Sequence, residues 1–237
     1  MPKTIADGIL SVLGSQYYQP IADLTERLLE KGYQKPDRVS AGYRESGYAA
    51  AIIILSAAAL ESFVQRDRYF NAKRNRSLIS ELPVTTYLKQ VNKYRRHRQL
   101  EELFEVRNAV AHNHIWLIDI ENPSSGGRRH KGSALVPKTH RLKRIPVYRA
   151  KIPRTRNVRF NLSPISVDRT DVQKALSLTI HALQFLSTKG HNPVPLVSNS
   201  ISFRGQRITF ADLAIEVSRE LQPHGESIGG QVEVARI

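Results

Sequence analysis

Cysteine is absent from the 237 residues of this chain, and methionine and tryptophan each occur only once. Without cysteine the chain can form no disulfides, thiolate metal sites or cysteine nucleophiles, and a reducing intracellular compartment is compatible with it. A metal site would have to use histidine or carboxylate ligands. The fold therefore depends on a packed core, which a chain of this length is able to bury.

Long apolar runs are also missing. The longest, Tyr48 to Leu60, is shorter than the roughly 20 residues that a membrane-spanning helix needs. Near the N-terminus, Asp7 and Gly8 interrupt the apolar residues that follow an early lysine, so a signal peptide is not expected. We therefore expect a soluble cytoplasmic protein with no membrane segment.

Acidic residues are scarce relative to basic ones. The chain has 21 Asp and Glu against 36 Lys and Arg, which gives a net charge of +15 at pH 7. A positive field of this size attracts polyanions and raises their rate of encounter. Nucleic acid is therefore the first class of partner to consider.

Helical periodicity is present along most of the chain. Ala and Ile occupy nearly every face of the segment from Glu45 to about Asn71, which predicts a central helix of a bundle. Spaced apolar residues predict further helices from Arg98 to about Ala111, from Asp168 to Lys189 and from about Thr209 to Leu221. Residues Ser77 to Tyr94 predict a weaker helix that Pro83 kinks or breaks.

These patterns divide the chain into three regions. Residues 1–40 are a helical lead-in, in which Pro20 is expected to separate two short helices. Residues 41–190 form a helical domain, interrupted at 115–165 by a basic segment of strands or extended loops. Residues 191–237 are a linker, a C-terminal helix and a tail. The predicted fold is mainly α, a helical bundle with an inserted basic β or extended segment, whose predicted strands are Ile115 to Ile120, Ala134 to Val136, Ile145 to Tyr148 and Val158 to Leu162.

Polar residues interrupt the helix that is predicted to end near Ala111. Arg107 occupies a position where the apolar pattern asks for a hydrophobic residue, so its charge needs a partner or a ligand. Asn108 is a poor helix-interior residue and shares a face with His112. Arg107 and His112 lie about 140° apart on a regular helix, so they converge on one substrate only where the helix ends or bulges, or where a second subunit contributes. Arg107, His112 and His114 are also compatible with ordinary helix-end residues that interact with the helix dipole.

The string RNAVAH at residues 107–112 follows a predicted core helix that carries ALESF at residues 59–63. This combination resembles the HEPN superfamily (higher eukaryotes and prokaryotes nucleotide-binding). Its nuclease members carry Arg, four to six residues and then His, often with a polar residue directly after the Arg. The resemblance covers residues 45–189, with 115–165 as an insertion outside the family pattern, and it implies a HEPN-like helical bundle.

The resemblance implies a metal-independent endoribonuclease without a cofactor, whose active site forms where two copies of the motif meet in a homodimer. The RNA 2′-hydroxyl would attack the adjacent phosphorus and leave a 2′,3′-cyclic phosphate and a 5′-hydroxyl. His112 would act as general acid or base, and Arg107 would stabilise the charge of the transition state. Asn108 would orient His112 or hold a phosphate oxygen. Glu61 would hold Arg107 in place, with His114 as a second supporting residue.

Many bacterial HEPN proteins are toxins or antiviral defence effectors, so the resemblance also implies RNA as substrate and an acidic antitoxin or other regulatory partner. Two alternatives stay open. One is a non-catalytic HEPN-like module that binds nucleotide, RNA or protein through the same face. The other is a basic DNA-binding or architectural protein whose helices only form a dimer.

The insertion carries most of the excess positive charge. Residues 128–159 contain 12 Lys and Arg and no acidic residue. Interleaved apolar residues predict an ordered basic hairpin, whose phosphate contacts would be sequence-independent and salt-dependent, and Tyr148 or Phe160 could stack on unpaired bases. A solvated segment that only confers solubility is the alternative. The residues expected to contact RNA are Arg128, Arg129, Lys131, Arg141, Lys143, Arg144, Arg154 and Arg156.

Overall fold

The structure, a computed structural model, describes residues 13–30, 45–74, 82–111, 115–121, 129–136, 154–164, 166–189, 194–196 and 198–221. Most of these residues are helical, which confirms the predicted mainly α fold. The elements are a 3-10 helix Leu13–Tyr17, α1 Tyr18–Leu29, α2 Glu45–Arg74, α3 Val84–Gln90, α4 His97–Ala111, β1 Ile115–Glu121, β2 Arg129–Val136, α5 Arg169–Lys189, β3 Ser200–Phe203, β4 Gln206–Thr209 and α6 Phe210–Leu221.

Helix α2 is the centre of the bundle, as its uniformly apolar sequence predicts. It packs against α1, α4 and α5, and Ile52, Ile53 and Leu60 are fully buried. The helix extends well past the apolar run that ends at Leu60. In the part of the chain that the structure describes, residues Glu45–Asn71 are the one segment whose length and composition would allow it to cross a membrane. Half of its most apolar window is buried within the protein, and core helices of soluble proteins meet the same criterion.

The other long helices begin and end within about one residue of their predicted bounds. Helix α5 packs on α2 and α6 through a stripe that includes Val172, Leu176 and Leu183. Pro83 directly precedes α3 and marks its start. Proline lacks the N–H that a helix interior requires, and it favours an extended conformation in the residue that precedes it. The earlier part of the predicted kinked helix, residues 77–81, lies outside the described residues.

The N-terminal region differs from its prediction at Pro20. This residue lies in the first turn of α1 and does not separate two helices, because an N–H in the first turn has no intrahelical acceptor and its loss costs little. The preceding 3-10 helix packs on α2 so closely that a Cβ on Gly14 would lie 2.5 Å from the Phe63 ring. Tyr18 stacks on Phe210 of α6 with ring centroids 3.9 Å apart, so α1 and α6 pack on one core.

A C-terminal hairpin was not predicted. Strands β3 and β4 pair antiparallel within the region expected to be a linker. Arg204 and Gly205 join them with φ values of 51° and 72°, the left-handed pair that a two-residue type I′ hairpin turn requires. The linker interpretation is therefore wrong for residues 200–209.

The described residues of the insertion form a hairpin and a separate irregular segment. Strands β1 and β2 pair antiparallel, with Ile115 opposite Val136, so the first two predicted strands are confirmed and the second begins earlier, at Arg129. Residues 145–148 lie outside the described residues. Residues 158–162 form no ladder beyond a single bridge at Asn161, so of the two predicted alternatives, a strand or an extended loop, they match the loop. Carboxylates of α4 and α5 accept hydrogen bonds from the backbone N–H groups of Val158 and Asn161, as described below.

Candidate active site

An ion pair joins the two helices that carry the HEPN-like residues. Arg107 of α4 donates through Nη2 to Oε1 of Glu61 on α2, at 2.5 Å. The two side chains are 25% and 38% exposed, so the pair lies at the boundary between core and surface. The Arg107 guanidinium also lies over the Phe104 ring, 5.4 Å from its centroid. The partner that the apolar pattern of α4 requires for Arg107 is thus supplied by the neighbouring helix.

Buried neighbours hold Arg107 in place, while part of its side chain stays exposed. Leu103 lies one turn before Arg107, and Val106 lies directly before it. Both are fully buried and anchor this end of α4. The Arg107 Nε is buried and has no hydrogen-bond partner among the described residues, so this donor is closed to a ligand from solvent. Glu61 contacts Nη2 and the side chain is 25% exposed, so the exposed part of the guanidinium is able to donate to an anionic oxygen.

The remaining motif residues are placed only in part. Asn108 is exposed on α4, directly after Arg107. Helix α4 is described as far as Ala111, one residue before the histidine of the motif. His112 and His114 lie outside the described residues.

A buried carboxylate on α4 holds the end of the basic insertion. Glu102 accepts hydrogen bonds from the backbone N–H of Asn157 at 2.7 Å, from its Nδ2 at 2.6 Å and from the backbone N–H of Val158 at 2.7 Å. Burial by itself raises the pKa of Glu102, but these hydrogen bonds, with a further one from Thr155, outweigh it and hold the pKa below its usual range. The end of the basic run is therefore tied to the helix that carries Arg107.

The predicted RNA-binding residues fall into three groups. Arg154 and Arg156 are exposed and adjoin the segment that Glu102 holds, and Arg154 donates to the side chain of Asn161 at 2.9 Å. Arg129 and Lys131 lie on β2. The others, Arg128, Arg141, Lys143 and Arg144, lie outside the described residues.

No family model, curated protein or solved structure matches this chain. The resemblance of residues 107–112 to the HEPN motif therefore rests on the motif itself and on the contact between Arg107 and Glu61.

Metal-ligating side chains are not clustered in the described ranges, where no group of three or more His, Asp or Glu residues is arranged to hold an ion. His112 and His114 lie outside those ranges.

Sequence reasoning missed two carboxylate clusters. Glu102 was visible as an acidic residue four positions before Val106 on the buried face of α4, but the donors of Asn157 and Val158 that it binds gave no signal of their own. At the start of α5, Asp171 accepts hydrogen bonds from the backbone and side chain of Asn161 at 3.2 and 2.8 Å. Burial, reinforced by the charge of Asp168, raises the pKa of Asp171 to about 6. The D-x-x-D pattern at the helix start was the available signal.

Proposed function

We propose that this chain is a HEPN-type endoribonuclease that cleaves RNA to 2′,3′-cyclic phosphate and 5′-hydroxyl ends without a metal ion. The observation that carries the proposal is the ion pair between Glu61 and Arg107. It joins the ALESF segment of α2 to the RNAVAH motif of α4. An arginine held at one edge by a carboxylate is preorganised to receive charge that develops on a phosphate.

Each motif residue has a distinct role in the proposed reaction. His112 removes the proton from the RNA 2′-hydroxyl or protonates the leaving 5′-oxygen, since imidazole titrates near neutral pH. Arg107 stabilises the additional negative charge on the phosphorus-bound oxygens. Asn108 orients His112 or holds a phosphate oxygen, and His114 supports this arrangement.

The proposed enzyme is a cytoplasmic homodimer in which the two motifs form one composite site. RNA binding is supported by the net charge of +15 and by the exposed Arg154 and Arg156 next to the Glu102 contact. Phosphate contacts of this kind release counterions, so binding weakens steeply as salt increases. A toxin or defence role, with an acidic partner that neutralises the basic surface, is part of the same proposal.

The test is cleavage of end-labelled single-stranded RNA in EDTA by the wild type, Arg107→Ala and His112→Ala. We expect cyclic-phosphate ends from the wild type and a loss of activity of at least about 100-fold in each variant, the usual range for general acid–base groups. Arg98→Ala is the matched control, because Arg98 is an exposed arginine on the same helix, and it should retain activity.

Three outcomes would contradict the proposal. Cleavage that requires added magnesium would exclude the metal-independent mechanism. RNA binding without cleavage by a folded, dimeric wild type would favour the non-catalytic module. A preference for duplex DNA over RNA would favour the architectural protein.

A further inference from the structure

A second polar site lies at the opposite end of α4 from Arg107. The segment between α3 and α4, from Asn92 to Arg96, faces His181 and Phe185 of α5 across an open cavity of about 510 Å³. Cavities that bind small ligands have volumes of about 300–1,000 Å³. The residues from Arg96 to Arg107 span about 16 Å along a helix axis. This cavity is therefore separate from the candidate active site.

Among the residues that the structure describes, the cavity is lined by cations and by no carboxylate. Lys93, Arg95 and Arg96 contribute its positive charge, and Asn92 is the other polar residue of the segment. These three cations are exposed and form no ion pair with any residue that the structure describes. Lys93 has a φ of 60°, a left-handed conformation that a lysine rarely adopts. Neighbouring like charges repel one another, and an anion bound among them would relieve that repulsion.

The opposite wall adds a neutral hydrogen-bond donor. The Tyr94 hydroxyl lies 2.9 Å from Nδ1 of His181. Burial, and to a lesser extent the charge of Arg96, lowers the pKa of His181, so its imidazole is neutral at pH 7. Burial raises the pKa of Tyr94 to about 12, so its hydroxyl stays protonated and is able to donate to Nδ1. In the tautomer that accepts this hydrogen bond, the ring hydrogen is on Nε2, from which it can be donated to a ligand.

An aromatic surface completes the cavity. Phe185 is half-buried and lies edge-on to Tyr94, with ring centroids 4.9 Å apart. Cations on one side and an aromatic wall on the other match a ligand that has an anionic end and a flat apolar end. Arginine forks recognise phosphate oxygens in particular.

We propose that this cavity binds a nucleotide, with Lys93, Arg95 and Arg96 holding its phosphate groups and the nucleoside part lying against His181 and Phe185. Free nucleotides and the terminal nucleotide of an RNA strand present the same phosphate chemistry. The proposal does not depend on ribonuclease activity.

The test is calorimetric titration of the full chain at fixed salt with ADP, pyrophosphate, adenosine and a 5′-phosphorylated tetraribonucleotide. We expect ADP and pyrophosphate to bind saturably at one site per chain, and adenosine to bind at least tenfold more weakly. Arg95→Gln/Arg96→Gln should raise the Kd for ADP at least about tenfold, because two charge-assisted hydrogen-bond donors are lost. Arg207→Gln/Arg219→Gln removes the same charge from exposed positions on β4 and α6 and should change the Kd less than about threefold, as expected for distant charges in salt.

Hydrogen exchange measured on the same samples locates the ligand without a substitution. Bound ADP should slow exchange in residues 89–100 and 177–188 and leave 206–221 unchanged. If the tetraribonucleotide protects these peptides and ADP does not, the ligand of the cavity is the terminal nucleotide of an RNA strand and not a free nucleotide.

The proposal is wrong if adenosine binds as tightly as ADP, if the two double variants lose affinity equally, or if no ligand protects residues 89–100. A chain that binds ADP but cleaves no RNA would contradict the proposed function alone.

Discussion

Replacement of Glu102 by glutamine is expected to release the end of the basic insertion from α4. The glutamate uses both carboxylate oxygens, one for the backbone and side chain of Asn157 and the other for the backbone of Val158. Glutamine has the same size but presents an amide nitrogen in place of one oxygen. That nitrogen is a donor and would face a backbone N–H, which is also a donor.

The expected loss of stability follows from these contacts. A hydrogen bond to a charged group contributes about 1.5–3 kcal/mol, and those that remain become neutral and weaker. We therefore expect Glu102→Gln to lower the free energy of unfolding by about 2–4 kcal/mol, which corresponds to about 5–10 °C in Tm for a chain of this size. Because the pKa of Glu102 is depressed in the folded state, this contribution is present above pH 4.5, its usual pKa, and is lost as the pH falls below it.

Urea unfolding at pH 7, followed by circular dichroism, measures the loss, and hydrogen exchange of residues 154–164 shows whether it is local. Glu101→Gln is the control, since Glu101 precedes Glu102 on α4 but is exposed, and it should change stability by less than about 0.5 kcal/mol. If Glu102→Gln matches this control and residues 154–164 stay protected, the carboxylate does not hold the segment and the reasoning is refuted.

Three further predictions concern the core. Since the pKa of Asp171 is raised from 3.8 to about 6, the folded state retains its proton to a higher pH than the unfolded state does, and wild-type stability relative to Asp171→Asn should fall by about 2 kcal/mol between pH 4 and pH 6; a constant difference in urea unfolding would contradict the shift. Gly14→Ala should cost about 1–3 kcal/mol in thermal unfolding through its clash with Phe63, and an unchanged Tm would show that the ring yields. Glu45 is fully buried and binds the Arg169 guanidinium through two contacts of 3.1 Å. Glu45→Ala should therefore lower the free energy of unfolding by about 3–5 kcal/mol. A value within 1 kcal/mol of wild type in chemical unfolding would mean that the arginine finds another acceptor.

The helices of the bundle could be predicted from the sequence because each buries one face, or in α2 nearly all faces, and burial sets the spacing of apolar residues. The contact between Glu61 and Arg107 could be anticipated for a related reason. Two charged residues on otherwise apolar faces of neighbouring helices need partners, and each is the nearest available partner of the other. The catalytic roles of the motif stay a prediction.

The features that sequence reasoning missed depend on contacts between distant segments with no periodicity of their own. Glu102 lies 55 positions before Asn157 and Tyr94 lies 87 positions before His181, so each contact forms only when separate elements pack together. The β3–β4 hairpin was missed because its strands are only four residues long. Its signal was the Arg204-Gly205 pair between two short alternating runs.

The contact between Glu102 and residues 157–158 also defines where the chain can be shortened. The predicted insertion, residues 115–165, combines a hairpin with a segment that α4 and α5 hold by their carboxylates. A deletion through residue 165 would leave Glu102 buried without its donors and would remove the two Asn161 donors of Asp171, which would keep only Lys174 and the backbone N–H of Asp168. A deletion that ends before Arg154 would keep all of these contacts. An engineered minimal bundle should therefore replace only residues 115–153 with a short linker, and it would retain Arg107, Glu61 and the arginines at 154 and 156 for separate study.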